Sequence, residues 1–304
     1  MQGLRATAGL VDEYSALHLV SPSGRMAAEL LEFWWRKGDD GLLVHDLTDE
    51  SLSTRFLGDL YQDLSEHAKA TYALLQTPVF VEEFILDRTL ELALADRPLE
   101  GFRMVDPACG SGHFLLGAFA RLLERWHHQA PGLELQTRVQ TALDAIHGVD
   151  LNPFAVAIAR FRLTVAALQA CGLRSLEPAP AFRFHLAVGD SLLHGARQLS
   201  LDAVDQELSA FTYSTEDVAE LRRILQSNSY DAVVANPPYI TVKDRALNAA
   251  YRRRYQDVCS GKYAMTVPFI QQRFLLLSGP SSQASSDDHL AIGVAAKQHG
   301  VGSR

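Results

Sequence analysis

Phe102–Trp126 reads FRMVDPACGSGHFLLGAFARLLERW, and its hydrophobic period changes in the middle. Phe102 to Val105 is an apolar run of strand length, closed by Asp106 and Pro107. Beyond Phe114, the residues Leu115, Ala118, Phe119, Leu122 and Trp126 recur at helical spacing. The two patterns predict a strand, a turn containing Gly110 and Gly112, and a helix running to Trp126. Such a turn lets the backbone approach a ligand closely and offers it the free N–H groups of a helix N-terminus. It is not a dinucleotide loop. Leu115 stands where a third glycine is needed, and Asp150 lies well past the ~20 residues at which the acidic ribose partner follows. A turn flanked by Asp106 instead suits a ligand with an ammonium group and no phosphate.

The alternation continues down the chain. Ala145–Val149 reads as a second strand ending at Asp150, after which Asn152 caps a helix with Pro153 in its first turn. Phe154, Ile158, Phe161, Val165 and Leu168 form that helix's apolar stripe. After a proline-rich link at 177–180, Phe182–Val188 is a third strand ending at Gly189-Asp190. A polar, mostly helical stretch, 200–226, leads to a fourth strand, Ala232–Ala235. Strand and helix in turn predict an α/β fold with a doubly wound, mostly parallel, Rossmann-like sheet. Residues 1–66 read as an N-terminal helical region, with one helix at Ala27–Trp35 and another beginning at Phe56. Thr77-Pro78 opens a further helix, with Thr77 as its cap, Pro78 in first position, and Phe80, Phe84 and Ile85 on one face.

Chemistry gathers at the strand ends. A carboxylate at Asp150 accepts from the two hydroxyls of a ribose, and one at Asp190 accepts from an exocyclic amine such as that of adenine. With Asp106 on an ammonium, three acidic residues ending successive strands describe an amino acid, a ribose and a purine joined together. That ligand is S-adenosylmethionine. The fourth strand then stops at Asn236-Pro237-Pro238-Tyr239. Prolines cannot donate to a ladder and belong at a strand's end. The Asn236 side-chain oxygen and the Pro237 carbonyl are rigid acceptors for the two N–H bonds of a flat amine. Accepting both turns the nitrogen lone pair toward a methyl donor. Tyr239 offers a face on which an extruded base stacks. Cys109 and His113, four apart beside the turn, have no third orienting group in view and read as packing.

The chain carries 28 basic and 36 acidic residues, a net charge of −8, which excludes a protein uniformly coated in positive charge but not a local nucleic-acid groove. Between Ile240 and Pro280, Lys243, Arg245, Arg252, Arg253, Arg254, Lys262 and Arg273 face only Asp244 and Asp257. Alone, the Tyr251–Tyr255 run YRRRY reads as a solvated helix face; its place just after the Asn-Pro-Pro-Tyr stretch favours DNA. Three isolated cysteines fit a reduced, cytoplasmic protein and make no metal site. No apolar run reaches the length of a membrane span, and the N-terminus lacks a signal-peptide layout.

Together these motifs resemble class I S-adenosylmethionine-dependent adenine-N6 DNA methyltransferases. Over longer stretches, Phe56–Leu90, Asp106–Trp126, Gly148–Leu163, Gly189–Gly195 and Asn236–Leu247, the chain resembles the PglX family of phage-growth-limitation and BREX phage-defence systems. The likeness runs from about Leu43 to Leu277. It implies S-adenosylmethionine contacts at Thr77, Asp106, Pro107, Ala108, Gly110, Gly112, Asp150, Leu151, Asp190 and Ser191. It implies a catalytic loop of Asn236, Pro237, Pro238 and Tyr239, with double-stranded DNA presenting a flipped adenine as substrate, and other phage-defence proteins as partners. On this reading residues 67–278 are the methyltransferase core. Residues 279–304 are an irregular tail of a truncated or frameshifted chain, with only a weak apolar patch at Leu290–Ala296 and an exposed sheet edge. Two other functions use the same features: methylation of a glutamine side-chain amide, which presents the same planar NH2, and binding of cofactor or partner without turnover.

Overall fold

Apolar residues alternate between two faces of a parallel sheet, and that alternation builds the molecule. The structure, a computed structural model, describes residues 23–45, 54, 55, 57, 77–174, 179–194, 218–276 and 291–294. The strands are β1 (Met104–Asp106), β2 (Ile146–Asp150), β3 (His185–Val188), β4 (Ala232–Ala235) and β5 (Ala291–Val294). Their order across the sheet is β3-β2-β1-β4-β5, with every pair parallel. Met104, Ile146, Leu186, Val188, Ala232 and Val234 face one helical layer, while Val105, Val149, Ala187 and Val233 face the other. The first layer holds α2 (Val79–Arg88), α3 (Leu90–Asp96), α4 (His113–Gln129), α5 (Leu135–Asp144) and α6 (Pro153–Ala170). On the opposite face lie Leu221 and Ile224 of α8 (Val218–Ile224) and Leu276 of α10 (Thr266–Leu276). The short α7 (Ser191–His194) and α9 (Arg245–Arg254) join α10 in a third cluster above the strand ends.

The doubly wound expectation holds, with shifted boundaries. β1 and β3 start later than their apolar runs, because Phe102 and Phe182 pack against the core from loops rather than from the ladder. β4 matches its predicted span, and Asn152 caps α6 as expected, accepting from the Phe154 and Ala155 amides. In the N-terminal region α1 (Gly24–Trp34) forms with Ser23 as its cap; apart from Leu57, the helix expected from Phe56 lies outside the described residues, as does most of 200–226. At α2 the cap is Pro78, one residue later than predicted. Phe80 and Phe84 are exposed while Ile85 is buried, so the three do not share one face.

Two further expectations are corrected. By length and composition α6 is apolar enough to cross a membrane, although the sequence reading found no such run; here Val156, Ala159, Leu163 and Ala167 are buried against the sheet. The tail is not wholly irregular either. β5 arises within the weak apolar patch and pairs with β4 from Ala232↔Ala291 to Ala235↔Val294, covering the edge that a four-strand sheet exposes.

Candidate functional site

The chain leaves β1 toward β2 and β3 on one side, then returns to place β4 on the other. The carboxyl ends of β1 and β4 diverge there, and open α/β sheets bind ligands at such a reversal. The turn after β1 is strapped from three directions. Gly110 N donates to Asp150 Oδ2 at 2.8 Å, and Ser191 Oγ donates to the Pro107 carbonyl at 2.7 Å. The third strap comes from the Arg162 guanidinium, which donates to the Ser111 carbonyl at 2.7 Å. Gly110 and Gly112 both adopt the left-handed backbone, at φ 52° and 84°. They do different work: a Cβ on Gly110 meets open space, whereas one on Gly112 lies 3.0 Å from the Ala159 Cβ.

The three strand-end carboxylates are more tied up than their spacing suggested. Asp106 is 1% exposed and turns back to accept from the Ala108 amide at 3.0 Å. Asp150 accepts from Asn152 N through its second oxygen at 2.8 Å. Asp190 caps α7 through the Leu192 and Leu193 amides, and its other oxygen accepts from the Tyr251 hydroxyl at 2.6 Å. Burial raises all three carboxyls above their ordinary range, Asp106 well above it, with the Asp150 charge adding to the rise. Cys109 and His113 do not form a reactive pair. Burial pushes the thiol well up, and burial with the Arg162 and Arg55 charges holds the imidazole down to about 3, so both are neutral.

Beyond β4, Asn236 donates through Nδ2 to Thr77 Oγ1 at 3.1 Å, while its Oδ1 is buried with no hydrogen-bond partner among the described residues. The Pro238 carbonyl accepts from the Thr266 hydroxyl at 3.4 Å, and Ile240 O from Met265 N at 2.9 Å, pinning the loop to the start of α10. The Tyr239 hydroxyl is likewise buried without a partner among the described residues, and burial raises its phenol.

One cavity of about 420 Å³ brings these ends together. Of the residues expected from the sequence, its wall carries Pro107, Ala108, Gly110, Asp150, Leu151, Asp190, Ser191, Asn236, Pro237, Pro238 and Tyr239. Three expected cofactor residues stand outside that wall. Thr77 spends its hydroxyl on Asn236, Asp106 is folded into its own turn, and Gly112 packs on α6. The sequence reading missed the remaining wall, which includes Val242, Leu247, Tyr251, Met265 and Phe269. The signal was the spacing of Tyr251 and Tyr255, one helical turn apart on the buried face of α9. Tyr255 donates to Leu192 O at 2.7 Å. Arg252 between them is structural as well: it donates to Asn248 Oδ1 at 2.8 Å and to the Cys259 and Gly261 carbonyls, with its guanidinium over the Tyr263 ring.

A glycine turn after β1, acidic ends to β2 and β3, and an Asn-Pro-Pro-Tyr loop after β4 meet on one cavity at the strand-order reversal of an open, doubly wound α/β sheet. Residues 144–282 match the family described as Eco57I restriction-modification methylase. The chain is 52% identical over 288 residues to the adenine-specific methyltransferase PglX of Streptomyces coelicolor, covering 90% of this chain and 24% of that protein. It is 29% identical over 208 residues to the type II methyltransferase M.PaeR7I of Pseudomonas aeruginosa, covering 66% of this chain and 29% of that one. The chain thus spans about a quarter of the length of these relatives. Among solved structures, a DrdV–DNA complex superposes with a TM-score of 0.52 at 17% identity, over 88% of this chain and 26% of that one. The Type ISP restriction-modification enzyme LlaBIII bound to DNA gives 0.50 at 14%, over 90% and 20%. These two show the fold alone.

Proposed function

We propose that this chain transfers the methyl group of S-adenosylmethionine to the exocyclic N6 amine of adenine in DNA, within a bacterial phage-defence or restriction-modification system. The observation that carries the proposal is the buried Oδ1 of Asn236, without a partner among the described residues, in a side chain on the same cavity as the glycine turn. A buried acceptor without a donor costs about 1–3 kcal/mol, so it marks a place where a donor is meant to arrive.

The site fits the cofactor by size, since about 420 Å³ lies in the range of small-molecule sites, and by the room above Gly110. The Pro107–Gly110 turn, Asp150 with Leu151, and Asp190 with Ser191 are the residues proposed to hold it. When bound, S-adenosylmethionine supplies an electrophilic methyl group on a sulfonium. Asn236 Oδ1 and the Pro237 carbonyl accept the two N–H bonds of the target amine and direct its lone pair into the cavity. No side chain has to remove a proton first, because the nitrogen becomes acidic only as the new bond forms. Tyr239 stacks on the extruded adenine, a contact worth ~1–3 kcal/mol that offsets much of the few kcal/mol needed to flip a base. Exposed Lys243, on the cavity wall, is suited to a phosphate.

Labelled methyl transfer to DNA tests the proposal. Asn236→Ala is expected to lower the rate by about 10²–10³-fold, in line with the loss of a preorganised polar group, while calorimetric binding of S-adenosylmethionine persists. Full-rate labelling by that variant sinks the assignment. Offering a glutamine-bearing protein acceptor in parallel separates the amide-methylating alternative.

A further inference from the structure

We infer that Tyr251 is a positioning residue for the cofactor: its hydroxyl fixes the Asp190 carboxylate in the pose that meets the exocyclic amine of adenine. This rests on the proposed binding of S-adenosylmethionine at Asp190. An aspartate turns easily about its last bond, because a terminal sp3–sp2 torsion has no sharply preferred angle. Contacts at both oxygens are needed to set its plane. Here Oδ1 accepts from the Leu192 and Leu193 amides at 2.9 and 3.1 Å, both in the helix that Asp190 caps. The other oxygen, Oδ2, accepts from the Tyr251 hydroxyl at 2.6 Å, across 61 residues of sequence. A carboxylate has about four lone-pair sites, so these bonds leave room on Oδ2 for one further donor.

Tyr251 is itself held, and it belongs to the segment that follows the Asn-Pro-Pro-Tyr loop. It is 2% exposed on α9, one turn before Tyr255, whose hydroxyl donates to the Leu192 carbonyl at 2.7 Å. Gln272 of α10 donates to the Ser191 carbonyl. Helices α9 and α10, with Tyr255 just past the end of α9, thus grip the start of α7 at three successive residues. Of those three bonds only the one from Tyr251 reaches the carboxylate. Burial raises the Asp190 carboxyl, and the Tyr251 hydroxyl works against that rise, favouring the ionised form, which accepts and does not donate. Asp190 and Tyr251 both line the cavity.

The test is calorimetric titration of the full chain, without DNA, with S-adenosylmethionine and with an analogue in which hydrogen replaces the 6-amino group of adenine. Tyr251→Phe keeps the buried ring and removes the hydroxyl. The parent is expected to prefer S-adenosylmethionine over the analogue by about tenfold or more, as for one hydrogen bond to a charged group. In Tyr251→Phe that preference is expected to shrink to about threefold or less, through weaker binding of S-adenosylmethionine. Tyr255→Phe loosens α7 without touching the carboxylate, so it weakens both ligands alike and keeps the parental preference. Asp190→Asn keeps an acceptor for the α7 amides and abolishes the preference. Adding Tyr251→Phe to it changes the preference no further, since the hydroxyl acts through the carboxylate. A parental preference in Tyr251→Phe, whether binding is kept or both ligands weaken equally, overturns the inference. So does a parent that binds the two ligands equally. Failure of the parent to bind S-adenosylmethionine refutes the functional proposal and this inference with it. Methyl transfer to DNA, measured separately, bears on the functional proposal alone.

Discussion

Asp106 shows how a buried carboxylate behaves before any ligand reaches it. Desolvation and the neighbouring Asp150 charge both raise its carboxyl, and the Ala108 amide offsets only part of that. Because the folded value lies above the unfolded 3.8, the ionised form is worth less in the folded protein. Its penalty is absent below the unfolded value, where both states carry the proton, grows as pH rises from there to the folded value, and is constant above it. Asp106→Asn keeps an acceptor for Ala108 and removes the charge. In thermal melts without cofactor, the variant is expected to be more stable than the parent at pH 8, with the gap shrinking as pH falls toward 5. A gap that widens on acidification contradicts the account. His113, held to about 3 in the fold, takes up a proton near its ordinary 6.5 only on unfolding, which destabilises parent and variant alike as pH falls and leaves the gap between them unchanged.

Between β1 and α4 the two glycines allow the structural and binding duties of one turn to be separated. Both have left-handed backbones, which cost a side-chain-bearing residue about 1–2 kcal/mol. Alanine at Gly112 adds contacts at 3.0 and 3.4 Å with Ala159, inside the α4–α6 packing. Alanine at Gly110 adds none and enters the cavity instead. Denaturant melts should show Gly112→Ala losing more than the ~1–2 kcal/mol of backbone strain, while Gly110→Ala loses only that. Calorimetry should show the reverse order for S-adenosylmethionine: affinity largely retained in folded Gly112→Ala, and lost by tenfold or more in Gly110→Ala, about 1.4 kcal/mol. Equal stability loss at both positions would break the division. Helix α9 teaches the same lesson about faces. Tyr251 and Tyr255 anchor it over α7, so the arginine run that reads as a solvated face is partly a clasp.

For the molecule as a whole, β5 decides whether β4 is an inner strand or the edge of the sheet. Removing residues 279–304 takes away the partner of Ala232–Ala235 and bares the β4 edge. Light scattering during refolding is expected to show association of the shortened chain at concentrations where the parent stays monodisperse. The central architecture was legible beforehand, because strands buried on both faces read as continuous apolar runs and Asn152-Pro153 announces a helix entry in a few neighbouring residues. The glycine turn and the Asn-Pro-Pro-Tyr loop were equally plain, since their chemistry lies within four to seven adjacent positions. Periodicity and local motif therefore determined the fold class and half of the cavity wall. Only the tertiary structure decided where each polar group is aimed: Asp106 into its own turn, Asp190 onto Tyr251, and Asn236 onto Thr77. It alone also paired the faint patch at 291–294 with β4. The reason is physical: a side chain's partner is set by whatever chain passes within about 3 Å, and those partners lie 61 and 159 residues away for Asp190 and Asn236.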